Sequence, residues 1–160
     1  MPPGSRPTKE AINAGAVSAG IAAANNHTPE AVQAAATAAM DYYDRLPAAI
    51  AGKGSVAIGG AAAQIYKQTL ATTGSAGTAR VKSRDDDSLN VAYNAYGRNS
   101  SKGEDQANTA AQAAAEAYSR KDPLRPISDI DAIDIGSDAA DLHVTTGDRD
   151  YALDTIRTTY

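Results

Sequence analysis

His27 and His143 are the only imidazoles in the chain. Histidine is the side chain whose ordinary pKa suits proton transfer near neutrality. His27 stands in an Asn-Asn-His break, and His143 lies between Leu142 and Val144. Neither has a Ser, Cys or carboxylate motif around it that would make a nucleophile–base pair. The histidines therefore point away from catalysis, and no catalytic residue is expected.

Asp129, Asp131, Asp134, Asp138 and Asp141 crowd into thirteen residues. Hard cations such as calcium want several oxygens. The register of a calcium loop fails. With Gly136 at the glycine position, Ile133 and Ile135 fall where oxygen ligands are needed. The aspartates read instead as the solvated face of a short amphipathic segment. No metal and no cofactor is expected.

Gly52-Lys53-Gly54-Ser55 precedes a helical pattern, but a phosphate-cradling loop needs four residues between its first Gly and a Gly-Lys-Ser/Thr end. A turn and helix cap is the better fit. Arg80, Lys82 and Arg84 alternate with Val81 and Ser83, which would place three cations on one side of an extended segment. With Arg98 and Lys102, and with Tyr93 and Tyr96 to stack on bases, they are the candidates for nucleic-acid contact. Asp85-Asp86-Asp87 abuts the cluster and the pI is near 5.0, so nucleic acid is not the favoured partner.

Those residues must be positioned by helices. More than half of the apolar residues are alanine, Phe, Trp and Cys are absent, and Leu, Ile and Val together number only 22 of 160. Alanine is the best helix former but has little surface to bury. An all-α fold follows: an alanine-rich helix bundle with a thin core. Without cysteine there is no disulfide or thiolate site. No apolar run is long enough to span a bilayer, and the N-terminus lacks the apolar core of a secretory leader.

The expected organisation has three parts. Residues 1–7 hold Pro2, Pro3 and Pro7 and form an extended arm. Residues 8–121 form the helical body. Its first helix starts at Thr8, with Ile12, Val17 and Ile21 along one flank. Its second starts at Thr28-Pro29-Glu30, and its third runs from Ser55 to about Leu70. A flexible hinge follows near 74–78. Residues 88–96 fit helix and strand spacing alike and are read as a short helix; 97–103 read as a polar loop, and a further alanine helix ends near Lys121. Residues 122–160 form an acidic segment that packs on the body or on a neighbouring subunit, with a final helix from Asp148.

Charge divides the same way. Residues 1–121 carry 12 basic and 10 acidic side chains, net +2, whereas residues 122–160 carry 3 and 9, net −6. The glycines at 15, 20, 59 and 60 would let helices approach closely. A thin core, a proline arm and an oppositely charged tail together suggest a non-enzymatic structural or assembly protein. It would be a homo-oligomer or a subunit of a larger assembly such as a virion. Pro2, Pro3, Pro7, Ile127, Ile130, Ile133 and Ile135 are the candidate interface residues. The alternative is an accessory module binding a partner protein or nucleic acid through residues 80–84.

Overall fold

Short polar side chains start most of the helices in a computed structural model of the chain, which describes residues 8–160. The expected arm, with Pro2, Pro3 and Pro7, lies outside the described residues. Thr8 Oγ1 accepts from the Ala11 amide at 3.1 Å and opens α1, Lys9–Ala24. Thr28 Oγ1 accepts from Ala31, and Pro29 takes the first position of α2, Pro29–Tyr43. Both satisfy amides that a helix start leaves bare. Between them, Asn26 turns the chain at φ 63°.

Helix α3, Ala51–Thr73, is the longest. It contains Gly52-Lys53-Gly54-Ser55, which the sequence pattern presents as a break and cap. Burial decides otherwise: Ala51, Gly54 and Ser55 are all buried, and Ser55 Oγ donates to the Gly52 carbonyl at 3.0 Å. Packing therefore outweighs the poor propensity of two glycines. Gly74, at φ 68°, ends α3 in the left-handed conformation that glycine adopts without strain.

The expected hinge is short, because Ser75 Oγ caps Thr78 and starts α4, Ala76–Ser83. The extended reading of 80–84 is thereby corrected. On a helix Arg80 and Arg84 lie four residues apart on one side and Lys82 points elsewhere.

Asp85 caps α5, Asp86–Asn99, so the ambiguous stretch 88–96 is helix. Residues 97–103 are not a free loop either: α5 continues to Asn99 and a 3-10 turn spans Ser100–Lys102. Helix α6 is Glu104–Ser119, followed by a turn in which Asp122 and Arg125 bond each other's backbones. Ser128 caps α7, Asp129–Thr146, and Asp148 caps α8, Arg149–Thr159. The acidic segment thus holds an 18-residue helix where a short amphipathic segment was expected.

Helix makes up 81% of the structure, with no strand among the described residues. The fold class is all-α. Among the described residues no helix is long and apolar enough to cross a membrane.

The chain divides into two compact units, 1–84 and 85–160. Residues 85–121, grouped with the body in the sequence, fold with the acidic segment. In the first unit α3 is central, with Ile58 and Ile65 fully buried; Ala22, Ala31, Ala35, Ala63, Tyr66 and Ala79 form a second cluster. In the second unit α6 is buried along most of its length against α5, α7 and α8. Of the 40 buried hydrophobic residues described, 27 are alanine. Cores of single methyl groups demand close helix axes. Gly59 supplies one such approach, since a Cβ there would meet the Ala35 carbonyl at 2.6 Å and also the Ser18 hydroxyl. Gly136 supplies another, since a Cβ there would meet the Ala110 carbonyl at 2.5 Å. Gly15 is also tight, whereas Gly20 and Gly60 face open space.

Candidate functional site

His143 is buried on α7, and its Nδ1 lies 2.9 Å from Thr109 Oγ1 on α6. That hydroxyl also bonds the Asp105 carbonyl at 3.0 Å. With one hydroxyl proton directed to the carbonyl, the network assigns the shared proton of the second bond to Nδ1. His143 therefore ties α7 to α6. His27 is half-buried, and burial, then the nearby Lys67 charge, hold its pKa below the usual value. Neither imidazole is bonded to a carboxylate among the described residues.

The aspartates of α7 share an exposed face. Asp134 pairs with Arg98 at 3.3 Å and Asp141 with Lys102 at 2.7 Å. Asp138 accepts from the Tyr160 hydroxyl at 3.1 Å. No three histidines or carboxylates converge as a metal-holding group among the described residues.

These pairs also locate two candidates for nucleic-acid contact. Arg98 and Lys102 lie along the acidic helix and direct their charge at it. Lys102 Nζ additionally donates to Asn99 Oδ1 at 2.7 Å. Arg80, Lys82 and Arg84 belong to the other unit. Arg80 and Arg84 are exposed, while Lys82 is half-buried. The charge contrast between residues 1–121 and the tail is thus partly satisfied inside one chain.

The isoleucine candidates separate. Ile133 packs with Val91, Ala95, Ala114 and Tyr118. Ile135 packs with Ala139, Leu153 and Ile156. Ile127 is partly buried against both clusters. Only Ile130, 67% exposed, is open to a neighbour. As a group these residues are core first, because a helix can bury only part of its circumference.

Three exposed aliphatics of the first unit stand on α1. Ile12, Val17 and Ile21, expected from the sequence to lie along one flank, border the outer half of α1 on its two edges and are 53%, 44% and 48% exposed. The buried side is built instead from Ala11, Ala14, Gly15, Ser18 and Ala22. Small residues win the inner face because α2 and α3 come too near for a branched side chain. Ser18 Oγ reaches the Val56 carbonyl at 3.3 Å. On the outer side Ala16, Gly20 and Ala24 follow one another at four-residue spacing between the three aliphatics. From Ala11 to Pro29 there is no charged residue. Gly20, one of the glycines that the sequence offers for close helix approach, belongs to this outward strip.

Compared with known proteins, the chain matches no family model, no curated protein and no solved structure.

Proposed function

We propose that this chain is a non-enzymatic assembly subunit that pairs with a second copy of itself through the outer face of α1. One observation carries the reading: in a chain poor in large aliphatics, three of them stand exposed around an uncharged strip of Ala16, Gly20 and Ala24. Small residues at four-residue spacing let two helices approach closely, and flanking aliphatics then bury area against each other. Beyond Lys9 and Glu10 in its first turn, this face carries no charge to repel its own image across a two-fold axis. Growth into a filament, shell or virion needs a second contact, for which Ile130 is the remaining tail candidate.

The test is solution mass at low and high concentration. Mass should rise with concentration. Gly20→Glu and Val17→Glu should hold the chain monomeric with the helical dichroism intact, because Gly20 has open space around it. An apolar seam should persist at high salt, whereas pairing of the acidic tail with a basic-leaning body should weaken. A wild-type chain that stays monomeric at high concentration sinks the reading. The alternative, nucleic acid bound through residues 80–84, has the shared exposure of Arg80 and Arg84 in its favour. It would show as RNA or DNA binding that falls steeply with salt.

A further inference from the structure

A cavity of about 140 Å³ lies in the second unit, where the end of α6, the turn after it and α7 meet. Its apolar walls include Ala117, Pro126, Ile127 and Ile135. Three cations line it, Arg120, Lys121 and Arg125, and among the described residues no Asp or Glu side chain does. Arg120 and Lys121 come from the end of α6, and Arg125 from the turn that opens the acidic stretch.

The neighbouring carboxylates are committed elsewhere. Glu116 is bound by Arg157 through two 3.1 Å hydrogen bonds. Asp122 Oδ1 accepts from the Leu124 and Arg125 amides, both at 2.8 Å, which stiffens the turn that carries Arg125. Lys121 is also occupied: its Nζ sits 3.7 Å from the centre of the Tyr118 ring. Arg120 and Arg125 remain, and among the described residues neither has a carboxylate within ion-pairing distance. The Arg120 guanidinium is held below its ordinary value by burial first. Glu116 opposes that fall, while Arg157 and Arg125 add to it. A half-buried guanidinium with other cations about it is short of negative charge.

We propose that this cavity binds a small organic anion. Its oxyanion head, a carboxylate or phosphate, sits between Arg120 and Arg125, and its apolar body rests on Ile127 and Ile135. Guanidinium forks match such heads with paired hydrogen bonds. The volume is close to that of cavities that hold a benzene-sized molecule, so the body is a single ring or a short branched chain. The site lies in a different unit from α1 and stands independently of the assembly reading.

The experiment is calorimetric titration of the full chain with benzoate and with phenyl phosphate, which separate the two heads. Benzyl alcohol and inorganic phosphate serve as references for body and head alone. At least one aryl anion should bind saturably, roughly tenfold or more tighter than either reference, as expected for losing a charged hydrogen bond. Arg120→Gln should weaken it, and Arg125→Ala, in an exposed turn whose loss leaves the helices intact, should weaken it by roughly tenfold. Lys121→Ala should change it less than about threefold. Absence of saturable binding for both aryl anions up to roughly 10 mM overturns the proposal. So does binding that Arg125→Ala leaves unchanged, or inorganic phosphate binding as tightly as phenyl phosphate.

Discussion

Arg157 on α8 grips Glu116 on α6 with two hydrogen bonds, Nε to Oε1 and Nη2 to Oε2, each 3.1 Å long. Glu116 is 2% exposed. Burial pulls the Arg157 guanidinium down, but the hydrogen bonds and charges of Glu116 and Asp154 outweigh it and hold it above its ordinary value. The pair fastens the last helix to the centre of its unit.

Arg157→Ala should therefore destabilise the chain by about 2–3 kcal/mol, since it strands a buried carboxylate. Adding Glu116→Gln to that variant should recover part of the loss, because the stranded charge disappears. Urea denaturation of the single and double variants checks this. A double variant no more stable than Arg157→Ala would show that the ion pair is not the source of the effect.

Two adjacent glycines of α3 should respond in opposite directions. Gly59→Ala forces a methyl group against the Ala35 carbonyl, where α1, α2 and α3 converge, and should cost about 2–3 kcal/mol. Gly60 has nothing within 4 Å of a Cβ, so Gly60→Ala should gain about 0.5–1 kcal/mol from helix propensity. Thermal melts of the two variants, read by dichroism at 222 nm, should bracket the parent.

Ile130 and Ile133 stand three residues apart on α7, yet Ile133 is buried while Ile130, in the first turn, is exposed. Ile133→Ala should cost about 2–4 kcal/mol through the cavity it leaves. Ile130→Ala should stay within about 0.5 kcal/mol of the parent. Equal losses for the two would mean that Ile130 is covered, as by a neighbouring chain in solution.

His27 makes stability depend on pH. Its folded pKa is lowered, so the unfolded chain, with the ordinary value of 6.5, takes up the proton first. The direction follows: this contribution is fully present above 6.5 and is lost as pH falls through the folded value. The melting temperature should be level from pH 8 to 7 and decline below 6.5. His27→Asn should flatten that decline between 6.5 and 5, before the carboxylates begin to titrate.

Helix starts were legible because a cap is a local event. Thr8, Thr28-Pro29-Glu30 and Asp148 each satisfy amides within three residues, so spacing alone reveals them. Breaks were less legible. Gly52 to Ser55 has turn chemistry, and only its burial among neighbouring helices makes it helical. The anion cavity was missed for a similar reason. Arg120 stands at the expected end of an alanine helix, but Arg125 gains meaning only from the turn that brings it beside Arg120.

That this chain is helical, where most of its helices begin, and that alanine must fill its core can all be read from the residues alone. Those properties depend on propensity, capping and composition, which act over a few residues. Tertiary structure decided which face of each helix is inside. An alanine-rich helix has methyl groups on every side, so its hydrophobic pattern is weak and does not choose a face. Closeness of approach chooses instead. Gly59 and Gly136 sit where backbones nearly touch, and Ile12, Val17 and Ile21 remain outside because the inner face of α1 has no room for them.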